Sequence, residues 1–203
     1  MRISLAALAA VLLGACGSSR PAPGAAAPGR DAAAEAASYD RYRRPDLLVA
    51  ALGLRPGDEV ADVGAGHGYL TFRLAAAVGA AGRVVATDVD PAALLALAGL
   101  RAAAGGARAV TPRLVGADDP GLEAGRFDLV LLAEVDHLLP DRAAYLRRLV
   151  PALAPGGRIA VSNRAPYRPR ALAAARAAGL IPVGEAGGLP GQFLVLLAPE
   201  APR

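Results

Sequence analysis

The sequence predicts an α/β protein in which helices cover both faces of a parallel sheet. Apolar runs of strand length alternate with helical patterns from residue 59 to residue 197, and such alternation implies parallel strands joined by crossover helices. A glycine-rich turn follows the first apolar run, and ligands on sheets of this kind bind at the carboxyl ends of the strands. The 203 residues suffice for one packed domain.

Each predicted element follows from its local pattern. Gly53 ends the first helix, and Pro91 suits the first turn of the third helix because its missing N–H is not needed there. Pro155-Gly156-Gly157 predicts a turn before the fifth strand. The predicted strands span residues 59–63, 83–88, 109–115, 127–133, 158–162, 180–185 and 192–197. The predicted helices span residues 39–52, 69–78, 91–104, 141–153 and 170–178.

The composition excludes several classes of protein. Hydrophobic residues make up 54% of the chain and aromatic residues 4%, which rules out a wholly disordered chain and predicts an aliphatic core. Every one of the 22 cationic residues is Arg, the net charge is +4 and the charges are scattered along the chain, so no binding of nucleic acid is expected. One cysteine and two histidines cannot form a structural zinc site.

The N-terminus resembles a bacterial lipoprotein signal peptide. Met1-Arg2 is a short positive region, residues 3–12 are an apolar run, and Leu13-Gly14-Ala15-Cys16 has the form of a lipobox. The resemblance implies that residues 1–15 are removed, that Cys16 is acylated and that the protein is lipid-anchored in the cell envelope. If the signal is not used, the expected location is the cytoplasm. A short transmembrane anchor is a weaker alternative, because about 20 apolar residues are needed to span a bilayer.

The segment after Cys16 predicts a tether between the membrane and a folded domain. Residues 16–37 are rich in Ala, Pro and Gly and contain no large apolar side chain, so they cannot bury enough surface to fold. The folded domain is predicted to span residues 38–198, and residues 199–203 are a tail. A lipid with two or more acyl chains on Cys16 would hold this domain firmly at a membrane surface.

A glycine-rich turn is the strongest local signal for function. Gly64, Gly66 and Gly68 follow the first predicted strand and precede a helix, so the backbone can turn sharply and a ligand can approach the helix N-terminus. Tyr69 stands where a dinucleotide fingerprint has its third glycine, which argues against NAD. Asp62 places a carboxylate at the end of the strand, where it can accept from a cationic amine or a water. A tight turn without a ligand is the alternative.

Acidic residues end the next two predicted strands. Asp88 ends the second strand, and an acid at this place can hold both hydroxyls of a ribose. Asp90 precedes a proline and is interpreted as the N-cap of the following helix. Asp118 and Asp119 follow the third strand. Either one of them accepts from the amino group of an adenine, or both are solvated acids that cap a short turn.

These residues, in this order, resemble a class I S-adenosylmethionine-dependent methyltransferase over about residues 39–197. The resemblance implies a Rossmann-like three-layer sandwich with a seven-stranded, mostly parallel sheet whose last strand is antiparallel. It implies that the cofactor S-adenosyl-L-methionine lies over the three glycines, with Asp88 on its ribose and Asp118 near its adenine. It also implies that Glu134, after the fourth strand, lies beside the methionine part and the substrate. The segments that carry the resemblance are Arg44-Pro45-Asp46, Leu54-Arg55-Pro56-Gly57-Asp58, Asp62 to Tyr69, Asp88-Val89-Asp90-Pro91, Phe127-Asp128-Leu129-Val130 and Leu153-Ala154-Pro155-Gly156-Gly157.

His137 is the candidate general base. It follows the fourth predicted strand, and imidazole titrates near neutral pH, but a base is needed only if the acceptor must lose a proton. The alternative is a loop histidine that hydrogen-bonds the backbone. His67, in the glycine turn, either contacts the ligand or faces solvent. No Asn/Asp-Pro-Pro-Tyr segment follows the fourth strand, which disfavours methylation of nucleobase or amide nitrogens by that route.

Three functions remain open on the sequence. The first is a methyltransferase that acts on a small-molecule acceptor as a monomer or weak dimer, and the intact acids and glycines favour it. The second is an exported, non-enzymatic binding lipoprotein that keeps the fold, which the signal peptide and the short loops favour. The third is an NAD-dependent oxidoreductase, which the glycine spacing and the absence of any Lys for a Tyr/Lys pair weaken.

Overall fold

The computed structural model describes residues 40, 43–103 and 109–200. The predicted signal peptide, Cys16, the tether and the end of the tail lie outside the described residues and stay predictions. Within the part of the chain that is described, no helix is both long and apolar enough to cross a membrane.

Seven strands form one sheet in the order β3-β2-β1-β4-β5-β7-β6. All neighbouring pairs from β3 to β5 are parallel, whereas β7 runs antiparallel to both β5 and β6. The predicted mostly parallel, seven-stranded sheet with a reversed last strand is therefore confirmed. The strands are β1 Glu59–Val63, β2 Arg83–Asp88, β3 Val110–Leu114, β4 Phe127–Ala133, β5 Leu153–Arg164, β6 Leu180–Ala186 and β7 Gln192–Pro199.

The α-helices cover both faces of the sheet and complete three layers. On one face, Leu52 and Leu74 belong to a cluster of buried residues that α1 and α2 share with β1 and β4. On the other face, Leu149 and Ala175 bring α4 and α5 onto the largest buried cluster. The core is built mainly from Leu, Val and Ala, as the composition predicts. The helices are α1 Pro45–Ala51, α2 Thr71–Val78, α3 Pro91–Ala103, α4 Arg142–Leu149 and α5 Arg168–Ala177.

Two predicted helices differ from the structure. The helix predicted over residues 39–52 is interrupted at Arg44, whose φ of +42° lies in the left-handed region; residues 40 and 43 are helical, and α1 begins at Pro45. The helix predicted over residues 141–153 ends at Leu149, where the chain tightens into a 3-10 turn, Val150–Ala152. Most other predicted bounds agree with the structure to within two residues.

The fifth strand is longer than predicted. It starts at Leu153, and the predicted turn at Pro155-Gly156-Gly157 is instead an irregularity within the strand. Phe127 pairs with Leu153 and Leu129 with Arg158, so extra residues of β5 bulge out between these two pairs. A β-bulge of this kind absorbs a proline and glycines without ending the pairing.

The strand order places the predicted site at one edge of the sheet. From β1 the chain continues to β2 and β3 on one side, and it then returns to β4 on the other side of β1. The space between the carboxyl ends of β1 and β4 is thus the topological switch point, where ligands of open α/β sheets bind.

Candidate functional site

The glycine-rich loop after β1 is held to the end of β2 by its own backbone. The N–H groups of Gly64 and Ala65 both donate to the carbonyl oxygen of Thr87, at 2.8 and 3.0 Å. The N–H of the next residue, Gly66, donates to Oδ2 of Asp88 at 2.7 Å. Three consecutive N–H groups of the loop are therefore fixed by the last two residues of β2.

Each of the three glycines has a positive φ, +70° at Gly64, +54° at Gly66 and +88° at Gly68, which side-chain-bearing residues rarely adopt. Their surroundings differ. A Cβ at Gly64 would overlap the side chain of Val135, and one at Gly68 would lie 2.9 Å from Phe72. A Cβ at Gly66 would meet nothing within 4 Å. Gly66 therefore borders open space at the carboxyl end of β1, whereas the other two glycines are packed.

The carboxylates of Asp88 and Asp90, at the end of β2, accept hydrogen bonds from different backbone N–H groups. Oδ1 of Asp88 accepts from the backbone N–H of Asp90 at 2.9 Å. Asp90 in turn accepts from the N–H of Ala92 at 2.8 Å, which is the N-cap interaction predicted for it at the start of α3. The Asp88 carboxylate is half-buried at the carboxyl end of β2, so it is available to a ligand.

Asp62 is buried within β1 beside the loop. Its Oδ2 accepts from the hydroxyl of Thr71 at 2.7 Å, and only 3% of its surface is exposed. The pKa of Asp62 is raised to about 6, chiefly by burial; the hydrogen bond from the Thr71 hydroxyl lowers it, and the charge of Asp88 raises it. A cation placed near this carboxylate would favour its ionised form.

Glu134 lies directly after β4, with its backbone in the left-handed region at φ of +57°. Its N–H donates to the carbonyl oxygen of Ser162 at 2.7 Å, and its carboxylate forms a partly buried ion pair with Arg43. A non-glycine residue in this region costs about 1 to 3 kcal/mol and marks functional sites. The turn thus positions the Glu134 carboxylate next to the end of β4, although the positive φ of Glu134 strains the backbone.

The segment before α1 is fixed beside the glycine loop. The hydroxyl of Tyr69 donates to Oδ1 of Asp40 at 2.6 Å, and Arg73 donates to the same oxygen at 2.9 Å. The guanidinium of Arg73 also lies 4.6 Å from the centre of the Tyr69 ring. Burial, together with the hydrogen bond to Asp40, raises the pKa of Tyr69. Tyr69 therefore anchors the segment before α1 beside the glycine loop.

Asp118 lies in the loop after β3, and its side chain is exposed. Nη1 of Arg148, on α4, donates to the carbonyl oxygen of Asp118 at 2.6 Å and lies 3.5 Å from its carboxylate. The structure thus gives Asp118 a partner on α4, and its contact with adenine stays a prediction.

His137 lies in a 3-10 turn, Asp136–Leu138, that follows β4. Its Nδ1 is 3.0 Å from Nδ2 of Asn163 in β5, and the same Nδ2 donates to Oδ1 of Asp136 at 2.5 Å. The sequence gives no signal for Asn163, because only the pairing of β4 with β5 brings it to this turn. His67 is exposed in the glycine turn and takes no part in this network.

The carboxylates around the glycine loop fit S-adenosyl-L-methionine. Three carboxylates, Asp62, Asp88 and Glu134, end or flank the strands around the loop, and the space at Gly66 is open. The predicted ligand carries a sulfonium, an ammonium group and a ribose diol, which are cations or hydrogen-bond donors. Carboxylates complement all of these groups.

Comparisons with known proteins find methyltransferases. A sequence model for a methyltransferase domain matches residues 61–159. Nocamycin O-methyltransferase of Saccharothrix syringae is 38% identical over 112 residues, which is 55% of this chain and 40% of that protein. Aklanonic acid methyltransferase of a Streptomyces species is 35% identical over 107 residues, 53% of this chain and 48% of that protein.

A solved structure shares the fold. A SAM-dependent methyltransferase from Aquifex aeolicus superposes with a TM-score of 0.73 at 20% identity, over 79% of this chain and 92% of that chain. The aligned region thus spans nearly all of this structural neighbour but half or less of the two curated relatives.

The chain thus has the Rossmann-like fold of a solved SAM-dependent methyltransferase. Residues 61–159 are similar to a methyltransferase domain. The match to a methyltransferase domain and the similarity to solved SAM-dependent methyltransferases support the predicted cofactor, S-adenosyl-L-methionine. These findings favour a methyltransferase over the NAD-dependent oxidoreductase that the sequence left open, and they give no support to a non-enzymatic binding lipoprotein.

Proposed function

We propose that this chain is a SAM-dependent methyltransferase that transfers a methyl group to a small-molecule acceptor. The observation that carries the proposal is the contact of Asp88 with Gly66, which places a carboxylate beside the open part of the glycine loop. Bound S-adenosyl-L-methionine would supply a methyl group activated on a sulfonium, so the protein has chiefly to align the two reactants and exclude water.

The Asp88 carboxylate keeps room for a ribose. Each of its oxygens accepts one backbone N–H, from Gly66 and from Asp90. A carboxylate offers about four lone-pair positions, so both oxygens keep capacity for a hydroxyl donor. The two existing hydrogen bonds fix the orientation of the carboxylate before a ligand arrives, which lowers the entropy that binding costs.

The charges around the loop favour a cationic ligand. In the folded protein, burial and the charge of Asp88 disfavour the ionised form of the Asp62 carboxyl group. An ammonium or sulfonium group nearby would offset both effects. We assign Asp62 and Glu134 to the methionine part of the cofactor, Asp88 to its ribose and Asp118 to the region of its adenine.

The names of two relatives support a small-molecule acceptor. Both curated relatives described above are named for small molecules, nocamycin and aklanonic acid. The 3-10 turn that carries His137 follows β4 next to Glu134, so the acceptor is proposed to bind on this side of the switch point.

Calorimetric titration of the full chain with S-adenosyl-L-methionine, and with its demethylated product, tests the proposal. Micromolar binding of either compound, with none of NAD, is the expected result. A folded protein that binds neither compound would refute the proposal and return the binding-module alternative. Circular dichroism on the same sample establishes that the protein is folded.

We also propose that the domain is exported and anchored through a lipid on Cys16. The proposal rests on the lipobox pattern Leu13-Gly14-Ala15-Cys16 after an apolar run. An anchored domain would act on acceptors at the membrane surface, and its supply of cofactor would have to reach that surface.

A further inference from the structure

The amide of Asn163 has a single possible orientation. Its Oδ1 accepts from the backbone N–H of Arg164 at 2.7 Å, and its Nδ2 donates to the Asp136 carboxylate at 2.5 Å. In the flipped orientation, an oxygen would face the carboxylate and a nitrogen would face the N–H, so both contacts would become repulsive. Asn163 and Asp136 are both buried, with 0% and 3% of their surface exposed.

This orientation fixes the tautomer of His137. Nδ2 of Asn163 carries two hydrogens, and the one not used by Asp136 faces Nδ1 of His137 at 3.0 Å. Nδ1 must therefore accept, and a neutral imidazole whose Nδ1 accepts carries its proton on Nε2. His137 thus presents an N–H donor at Nε2, the opposite of what a general base needs.

The Nε2 atom is open to a ligand. Within residues 43–103 and 109–200, the structure gives Nε2 of His137 no hydrogen-bond partner. The ring is held from the side by Tyr167, with ring centres 4.8 Å apart and planes inclined by 31°. Position and tautomer are therefore both fixed by the protein before any acceptor binds.

A positively charged side chain contacts the same Tyr167 ring that holds His137. The exposed guanidinium of Arg164 lies 5.3 Å from the centre of the Tyr167 ring, and its Nη2 is 3.3 Å from the Tyr167 hydroxyl. In the described part of the chain no carboxylate lies within ion-pair distance of Arg164. The nearby Arg142, in contrast, is used to hold the carbonyl oxygens of Asp136 and His137.

We propose that the methyl acceptor binds here through a carboxylate, held by the Nε2–H of His137 and the guanidinium of Arg164, with Asn163 as the positioning residue. The inference rests on the proposed function and names the acceptor class. A carboxylate oxygen forms the new bond to the methyl carbon while the carbon–sulfur bond breaks and its electron pair stays on sulfur. The anion and the sulfonium cancel, so the products are a neutral ester and a neutral thioether. No proton is removed and no base is required.

The tautomer is tested by nitrogen NMR of the full chain labelled with ¹⁵N-histidine at pH 8. The chain has two histidines, so the variant His67→Gln assigns the spectrum. We expect His137 to show a protonated Nε2 and a bare Nδ1, and the variant Asn163→Ala to show a mixture of both tautomers. A protonated Nδ1 in the unsubstituted protein would overturn the inference. This measurement stands even if Asn163→Ala does not fold.

The carboxylate site is tested with benzoate as the probe and benzamide as its neutral analogue. We expect benzoate to shift the signals of His137 and not those of His67, and benzamide to shift neither. Arg164→Gln should weaken benzoate binding by about tenfold, since it removes a charge-assisted contact. Arg170→Gln, which removes an exposed positive charge six residues further on, is the matched control and should bind benzoate unchanged.

Absence of a benzoate shift at His137, or equal weakening by the two arginine variants, would overturn the carboxylate site. Neither NMR experiment contains S-adenosyl-L-methionine, so their failure is distinct from failure of the proposed methyltransferase function. A protein that binds the cofactor by calorimetry but has Nδ1 of His137 protonated would keep the proposed function and lose this inference.

Discussion

The carboxylate of Asp88 accepts a hydrogen bond from the backbone N–H of Gly66 at 2.7 Å. The end of β2 and the loop after β1 are thereby joined through the side chain that is proposed to bind a ribose. Hydrogen bonds to an ionised acceptor are about twice as strong as neutral ones. The ribose site and the glycine loop are therefore expected to respond together when Asp88 is changed.

Replacing Asp88 with Asn is expected to lower the affinity for S-adenosyl-L-methionine by about 1.5 to 3 kcal/mol, because charge-assisted hydrogen bonds to the ribose are lost. Calorimetric titration measures the change. Asp90→Asn is the matched control, since it removes the same charge two residues away while Asn remains a good N-cap. Equal affinities of the Asp88 variant and the unsubstituted protein would move the ribose contact elsewhere.

The stability of the protein is expected to depend on the ionisation of Asp62. Burial raises the pKa of this carboxyl from 3.8 to about 6, so folding favours its protonated form. The resulting contribution to stability is fully present below about pH 3.8 and is lost as the pH rises through about 6. Asp62→Asn removes this dependence, because its amide is neutral at every pH.

Urea unfolding at pH 4.5 and at pH 7.5 measures this effect. The gain in unfolding free energy of Asp62→Asn over the unsubstituted protein should be larger at pH 7.5 than at pH 4.5 by about 2 kcal/mol, because part of the effect is already present at pH 4.5. The same difference at both pH values would show that Asp62 is not destabilised by its burial. Affinity for the cofactor should nonetheless fall in this variant, since the negative charge proposed to face the methionine part is gone.

Alanine at Gly66 and at Gly68 should have different consequences. Both positions have a positive φ, which costs an alanine about 1 to 2 kcal/mol. At Gly68 the new methyl group would also press on Phe72, and such overpacking costs about a further 1 to 3 kcal/mol. Gly68→Ala should therefore be the less stable protein in urea unfolding.

Gly66→Ala should remain folded and should lose affinity for S-adenosyl-L-methionine, because its methyl group enters the open space beside the loop. Calorimetry on this variant separates the two effects. Unchanged affinity would indicate that the ligand does not approach the backbone at Gly66.

Replacing Cys16 with Ser should leave a precursor that is neither cleaved nor lipidated, because acylation needs the thiol. Mass spectrometry of the protein from a bacterial membrane fraction, compared with the unsubstituted chain, detects both changes. Identical processing of the two proteins would reject the lipoprotein interpretation and leave the methyltransferase proposal untouched.

Local patterns were sufficient to predict the strands that surround the switch point. The predicted bounds of β1, β2 and β4 coincide with the structure, because buried parallel strands are continuous apolar runs bounded by turn residues. The cap at Asp90 was predictable for the same reason, since it depends only on its neighbours along the chain. The bulge in β5 could not be predicted from local patterns, because it depends on how β5 pairs with β4.

The sequence by itself determined an α/β fold, a glycine loop after β1 and the acid at the end of β2, since periodicity and turn chemistry act between neighbouring residues. Only the tertiary structure decided that Arg43 pairs with Glu134 and that Asn163 orients His137. These contacts join residues 91 and 26 positions apart. They exist only because strand pairing and helix packing bring distant segments to one edge of the sheet, and hydrogen bonds act over a few ångströms.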